Sequence, residues 1–278
     1  MREAHHSFPV IHVTPGGARE ARDNVAEELP LDIHVGERFF ASVMRTPGDE
    51  VELAVGLLFA AGMLLRREDA AVVEHRRDFN PEQVRLRLVS SEWNAVVAAA
   101  RYRTEGTGIR WQGAYGGSGS AETMDRVAAV IESLRGRCSN PATVPASRLT
   151  SMLERMIARQ VLRHATLGTH AMALFDYQGD LLAFAEDVGR HNALDKVIGR
   201  AVLQDRLADC QVCIASSRAA FDVVRKAAVA GIPILATVSA PTAPAIELAR
   251  QAGMTLVGCL REDSLRIYAG AQRVVRGV

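Results

Sequence analysis

A chain of 278 residues is long for one hydrophobic core and comfortable for two, so a two-part molecule is expected. Hydrophobic residues make up 48% and charged residues 23%, an ordinary globular balance, and a formal net charge of +1 lacks the basic excess of a nucleic-acid binder. Any anion recognition must come from local clusters.

Residues 1–24 are polar and glycine-bearing, with His5, His6 and His12, and lack the basic-then-apolar pattern of a secretory signal; they read as a flexible tail on a cytoplasmic protein. Alternation through Leu31-Asp32-Ile33-His34-Val35, a turn at Gly36-Glu37 and renewed alternation from Phe39 to Met44 predict a hairpin. Thr46-Pro47-Gly48-Asp49 then opens a helix that Gly62 ends. The longest apolar run, Ala54 to Leu65, holds 12 residues and is interrupted by Gly56 and Gly62. It falls well short of the ~20 residues that span a bilayer, so it reads as a buried helix and no membrane partner is expected. Short strands at Ala71–His75 and Val84–Val89 complete a small α+β domain, followed by a glycine-rich loop at 104–120 with no apolar period. A helix from Glu122 to Leu134, a break at Asn140-Pro141 and a second helix from Ser147 to about His164 follow. The division is thus a tail over 1–24, an N-terminal α+β domain over 25–140 and a C-terminal α/β domain over 141–278.

From His170 the pattern becomes strand, polar turn and amphipathic helix, repeated. A hairpin, His170–Asp176 with Leu181–Ala185, leads to a helix from about Ala193 to Leu203. Val212–Ala215 leads through Ser216-Ser217-Arg218 to a helix ended by Gly231. Ile234–Val238 leads through Ser239-Ala240-Pro241-Thr242 to a helix ended by Gly253, and Thr255–Cys259 is the next strand. This alternation predicts a mainly parallel sheet with helices on both faces, and such sheets bind ligands at the carboxyl ends of their strands.

All three polar turns fall at that edge. The first is the most informative: residues 186–196 read Glu-Asp-Val-Gly-Arg-His-Asn-Ala-Leu-Asp-Lys. A glycine turn with Arg190, His191 and Asn192 at a helix N-terminus is an anion-binding arrangement, and Arg190 and Arg218 can each grip a phosphate in a fork. The plainer alternative is that Ser217 and Ser239 only cap helices and that Asp195 and Lys196 form a solvated pair.

The run 186–196 resembles the signature of the FdhD/NarQ family, accessory proteins of molybdenum- or tungsten-dependent formate dehydrogenases. The resemblance extends over nearly the whole chain after residue 24. Glu27, Leu29, Pro30 and Leu31 are similar to the family's early strand, Met44-Arg45-Thr46-Pro47 to its turn, and Thr166-Leu167-Gly168-Thr169-His170 to its Thr-Gly-Gly-x-His segment. Ser216-Ser217-Arg218 and Ser239-Ala240-Pro241-Thr242 resemble its Ser-Gly-Arg and Ser-Ala-Pro-Thr. The resemblance implies a C-terminal domain like cytidine deaminases, a cytoplasmic homodimer, and binding of bis-molybdopterin guanine dinucleotide, with GDP as its mimic. Carried onto this chain, the cofactor site comprises Gly168, His170, Glu186, Asp187, Gly189, Arg190, His191, Asn192, Ser216, Ser217, Arg218, Ser239, Ala240, Pro241 and Thr242, with Tyr115 from the loop. The implied partners are an apo formate dehydrogenase catalytic subunit and a cysteine desulfurase or cofactor-synthesis enzyme.

One departure matters. Where the family has Cys-Gly-x-Cys-Gly, this chain reads Tyr115-Gly116-Gly117-Ser118-Gly119, as in thiol-lacking FdsC-type members, so the nucleophile for persulfide transfer is missing. Cys210 and Cys213 form another Cys-x-x-Cys, but three positions apart on a strand they point to opposite faces, which reads as structural. A zinc deaminase is also disfavoured, because no glutamate follows His170-Ala171 and Cys210 follows Asp209 rather than proline. The leading expectation is a non-catalytic cofactor chaperone without a metal site of its own; the alternative is a sulfurtransferase acting on the same cofactor.

Overall fold

The computed structural model describes residues 3–89, 102–104, 109–111 and 132–275. The first segment is not a flexible tail. β1 (His5–Thr14) and β2 (Gly17–Ala26) form an antiparallel hairpin of ten residues a side, turning at Gly17 with φ 131°. The signal was the β-branched run Val10-Ile11-His12-Val13-Thr14 before Pro15-Gly16-Gly17, partly hidden by the surrounding polar residues.

The expected second hairpin is β3 (Leu29–Val35) with β4 (Arg38–Arg45), joined by Gly36 in the left-handed region. Leu31, Ile33 and Val35 alternate inward on β3, as do Ala41 and Val43 on β4. β5 (Ala70–Arg76) and β6 (Glu82–Leu88) complete a sheet of order β4-β3-β6-β5, with β3 and β6 parallel and the other pairings antiparallel. Its apolar face shares a core with α1 (Glu50–Ala60), whose residues from Leu53 to Ala60 are all buried. Within the glycine-rich stretch, β7 (Tyr102–Thr104) pairs with β8 (Ile109–Trp111). The rest of that loop, Tyr115 included, and residues 122–131 of the expected helix lie outside the described residues.

Farther along, the expected single helix over 147–164 is two helices, α2 (Ala146–Ile157) and α3 (Val161–Thr166). The break has a distant cause: the Glu186 carboxylate accepts from the N–H groups of Leu162 (2.9 Å) and Arg163 (2.7 Å), starting a new helix there. The larger sheet comprises β10 (His170–Phe175), β11 (Leu181–Asp187), β12 (Val212–Ala215), β13 (Ile234–Thr237), β14 (Thr255–Gly258) and β15 (Arg266–Ala269), in the order β11-β10-β12-β13-β14-β15. β9 (Val144–Pro145) and β16 (Val274–Val275) form a small parallel pair.

That sheet is mixed rather than mainly parallel. β12–β13 and β13–β14 are parallel, whereas β10–β11, β10–β12 and β14–β15 are antiparallel. Connection length decides: the tight turn at Gly179 reverses the chain between β10 and β11, while a crossover helix is what allows a parallel neighbour. Helices cover both faces as expected. Ala171, Ala173 and Phe175 of β10 pack with Leu149, Met152 and Met156 of α2. Met172 and Leu174 face the other way, into the core built with α4 (Arg190–Leu203), α5 (Phe221–Val229) and α6 (Ala243–Gln251).

The same core continues without a break into α1 and the first sheet. Two glycines make this continuity possible. A Cβ on Gly56 of α1 would stand 1.9 Å from the Asp195 carbonyl oxygen, and one on Gly199 of α4 would stand 1.9 Å from that of Glu52. The helices cross backbone to backbone, and the obstructing atoms cannot rotate away. Gly199→Ala and Gly56→Ala are each expected to cost ~3 kcal/mol, the upper end of ordinary overpacking. Gly16→Ala, which meets the Thr14 hydroxyl at an ordinary 3.7 Å, is the control. Urea midpoints read the difference, with the slope unchanged.

Candidate functional site

The sheet directions bring the nominated turns together. Because β10 runs antiparallel to both β11 and β12, His170 lies opposite Asp187, and Ala215 sits between Met172 and Thr237 in register. The N-terminus of β10 and the carboxyl ends of β11, β12 and β13 therefore share one edge. Backbone bonds tie the turns to one another: Ser216 N–H donates to Ala171 (3.0 Å), Ser239 N–H to Ser217 (3.4 Å) and Thr242 N–H to Ala219 (3.1 Å). Ser216 Oγ also accepts from Ala171 N–H at 2.8 Å.

Three helices start at this edge. α4, α5 and α6 have Gly189, Ala220 and Thr242 at their N-caps, and among the described residues none receives a side-chain capping bond. The reading of Ser217 and Ser239 as caps is thus corrected. Ser217 is buried with its hydroxyl on the Arg218 carbonyl at 3.2 Å, while the Ser239 carbonyl accepts from Thr237 Oγ1 at 2.7 Å. Helix N-termini left uncapped retain N–H groups and a partial positive charge that favour an anion. Ala240, Thr242 and Arg218 are exposed around them. Pro241 packs so closely on Gly258 that a Cβ there would meet its Cδ at 3.0 Å.

The signature residues divide between two jobs. Glu186 faces away, accepting from Leu162, Arg163 and the Thr169 hydroxyl (3.0 Å). Asp187 is wholly buried: its Oδ2 takes Lys196 Nζ at 2.8 Å and Thr46 N–H at 3.1 Å, and its Oδ1 takes Gly189 N–H at 2.9 Å and Asn192 Nδ2 at 3.0 Å. Asn192 goes on to the Met44 carbonyl at 2.7 Å, Lys196 to the Thr46 carbonyl at 2.9 Å, and Val188 N–H donates to Thr46 Oγ1 at 3.1 Å. These residues fasten the turn after β4 to the start of α4. Gly189 is confined by them, since a Cβ would lie 3.0 Å from Asn192 Nδ2.

Arg190, His191 and half-buried His170 take no part in these contacts. Arg190 Nε and His191 Nδ1 are buried atoms with no hydrogen-bond partner among the described residues. Burial, followed by the charges of Lys226, Arg190 and Arg225, pushes the His191 imidazole down to about 3. It is neutral at physiological pH and can exchange a hydrogen bond with a ligand without carrying charge. His170 is lowered too, by burial and then by Arg190 and Arg163. Gly168, exposed, leads into this strand after Leu167, which closes α3 in the left-handed region at φ 55°.

Lys196 and Lys226 were missed as site-building residues. Asp195 and Lys196 are not a solvated pair; each is 1% exposed and each has a different partner, Lys226 for Asp195 and Asp187 for Lys196. The available signal was the i, i+4 spacing of Asn192 and Lys196, which puts them on one face of α4. Glu50, His75 and Glu82 also gather, with ligand atoms within 4.8 Å of one another. The buried Arg45 guanidinium already bridges Glu50 at 3.2 Å and Glu82 at 2.9 Å, so this cluster is an internal ion network of the Met44–Pro47 turn.

Three of the four cysteines are poor nucleophiles. Burial pushes the thiols of Cys138, Cys210 and Cys213 each up to about 12, and none exceeds 2% exposure. Cys210 and Cys213 lie in the same apolar core, not on opposite faces, because Cys210 precedes β12 and turns inward after the short helical turn Leu207–Asp209. Cys259 is half-buried, its Sγ 3.9 Å from the Tyr268 hydroxyl.

Comparison with known proteins decides the family. The model of the FdhD/NarQ family matches residues 26–275. The chain belongs to the FdhD/NarQ family. Among FdhD/NarQ relatives, the sulfur carrier protein FdhD of Mycolicibacterium paratuberculosis is 38% identical over 274 residues, covering 95% of this chain and 97% of that protein. The protein of the same name from Saccharolobus solfataricus is 34% identical over 271 residues, covering 96% and 97%. A formate dehydrogenase accessory protein from Desulfotalea psychrophila has the same fold, with TM-score 0.78 at 23% identity over 98% of this chain and all of the other. Among the described residues no helix is long and apolar enough to cross a membrane.

Breaking the buried pair tests its structural role in this FdhD/NarQ member. Lys196→Met leaves Asp187 buried without its cation and is expected to cost about 3–5 kcal/mol. Asp187→Asn added to Lys196→Met removes the orphaned charge and restores part of the loss. Chemical denaturation of the three proteins at pH 7 gives the comparison.

Proposed function

We propose that this FdhD/NarQ protein is a cytoplasmic accessory factor that binds bis-molybdopterin guanine dinucleotide and delivers it to an apo formate dehydrogenase. The observation that carries this reading is the meeting of three uncapped helix N-termini with Arg190, His191 and Arg218 at one sheet edge. The donor set fits a pyrophosphate. Arg190 Nε is buried and unpartnered among the described residues, Arg218 can reach in from solvent, and neutral His191 adds a hydrogen bond. Asp187, Asn192 and Lys196 serve the site indirectly, by fixing the start of α4. The cofactor supplies the redox chemistry of the dehydrogenase once delivered; the chain's own residues hold and orient its phosphates.

Calorimetry with GDP tests the binding reading. Arg190→Ala and Arg218→Ala should each weaken affinity by roughly tenfold or more, since a charge-assisted hydrogen bond is worth ~1.5–3 kcal/mol. Unchanged affinity in both variants would remove these residues from the site.

The second reading is sulfur carriage, and the names of the relatives favour it over the first. Against it stand the absence of a Cys-x-x-Cys at 115–119 and the burial of three of the chain's four cysteines. A thiol acts as a nucleophile when exposed and ionised, and burial works against both. Replacing Cys138, Cys210, Cys213 and Cys259 together by alanine, after confirming that the protein folds, separates the readings. Cells lacking the native copy should still produce active formate dehydrogenase. If the folded variant binds GDP yet yields an inactive dehydrogenase that sulfide restores, the chain is a sulfur carrier.

A further inference from the structure

The end of the β10–β11 hairpin remote from the candidate site carries a separate pocket. β10 spans six residues, so its far end lies about 17 Å from His170 at ~3.3 Å per residue. The face differs too, because α2 packs on the side of the sheet opposite α4, α5 and α6. Between the exposed side of α2 and the tight turn 176–180 is a cavity of about 230 Å³, lined chiefly by Ser147, Arg148, Ser151, Met152, Arg155 and Gln178.

Helical spacing builds the α2 wall. Arg148, Met152 and Arg155 follow one another at intervals of four and three residues, and Ser147, Ser151 and Arg155 at intervals of four, so all five share one face. Met152 is 1% exposed and gives an apolar floor, while the polar side chains around it are exposed. The turn itself holds the two arginines. Arg148 Nη1 donates to the Tyr177 carbonyl at 2.8 Å, and Arg155 Nη1 donates to the Gly179 carbonyl. Residues two apart are separated by no more than about 7 Å of chain, so the guanidinium groups are held close enough to meet one tetrahedral anion together. A Cβ on Gly179 would stand 3.7 Å from Arg148 Cγ and Met152 Cε, so the turn sits directly on α2.

Each guanidinium has several N–H donors in a fixed plane and uses one on the turn. Apart from a 3.9 Å approach of Arg155 to the Asp180 carboxylate, the others have no partner among the described residues, and neither have the hydroxyls of Ser147 and Ser151. The lining residues carry two positive charges and no negative one, and a concave site of one sign concentrates counter-ions. Two guanidinium forks, two hydroxyls and the Gln178 amide are more donors than the two oxygens of a carboxylate accept. The volume falls below the ~300–1,000 Å³ of pockets for drug-sized ligands, which points to a small occupant and excludes a guanine dinucleotide.

We propose that this pocket binds a phosphate group, as inorganic phosphate or as a small phosphate ester, with the phosphoryl oxygens held between Arg148 and Arg155. The site is separate from the sheet edge and does not depend on the cofactor reading.

Equilibrium dialysis of the full chain against radiolabelled inorganic phosphate tests it. Arg148→Gln combined with Arg155→Gln should weaken binding by roughly tenfold or more, since hydrogen bonds to a charged group are lost from both sides. Ser151→Glu keeps both arginines and the helix but sets a carboxylate in the pocket, and should weaken binding as far. The component of binding that these variants remove should survive in a chain carrying Arg190→Ala and Arg218→Ala. Competition with glycerol 3-phosphate identifies the source: tighter binding than phosphate marks an ester as the ligand, and weaker binding marks the free anion. Acetate should compete poorly. The proposal is overturned if the unaltered chain binds no phosphate at millimolar concentration, or if either pocket variant, folded by circular dichroism, binds it undiminished. It is equally overturned if the Arg190→Ala, Arg218→Ala chain loses the same component, or if acetate displaces the label as readily as unlabelled phosphate does.

Discussion

A carboxylate buried without exposure to water must find a cation and hydrogen-bond donors, and the way Asp187 does so organises the molecule. Its donors come from the turn after β4, from the glycine turn after β11, and from the first two turns of α4. Satisfying one side chain therefore fixes three separate segments. Lys196, equally buried, extends the network to the Thr46 carbonyl, so the cation holds backbone as well as charge. Removing either partner would leave an uncompensated charge inside the protein.

The glycine crossing of α1 over α4 is the apolar counterpart of that network. The ion pair sets where α4 begins, and Gly56 and Gly199 set how near α1 can come. Close approach merges the two parts of the chain into one core, in which the small sheet and the large sheet lie on either side of the helix pair. A molecule divisible in sequence is thereby mechanically continuous. The N-terminal turn Met44–Thr46 becomes part of the floor beneath the candidate site.

That floor explains why a highly specific signature contributes few side chains to a ligand. Glu186, Asp187, Asn192, Asp195 and Lys196 are all engaged internally. Arg190 and His191 are left at the edge, where burial, and after it the neighbouring cations, keeps the imidazole neutral. In the proposed reading such a site suits recognition of a phosphate-bearing cargo more than chemistry upon it: it has donors and positive charge, while Cys138, Cys210 and Cys213 are buried. Kinship with proteins named sulfur carriers and a chain without the loop thiols are compatible if the family shares cargo binding and members differ in what else they do to the cargo.

By itself the sequence determined the local elements. The period-two runs of β3 and β4, the continuous apolar run of β12 and the glycine stops after α5 and α6 are dictated by short-range sterics and burial, so they were legible residue by residue. The signature likewise lies at the sheet edge where the three polar turns meet. What only the tertiary structure decided involves partners far apart in the chain. Glu186 splits an expected helix by capping residues more than twenty positions earlier. Asp195 and Lys196, adjacent in sequence, project to different partners and become buried ions rather than a surface pair. Strand direction in the large sheet followed from connection geometry rather than from the strands' own pattern, since parallel and antiparallel strands can carry the same apolar run. Long-range hydrogen bonds and close backbone approaches leave no periodic trace in a sequence, because each depends on where the rest of the chain has already gone.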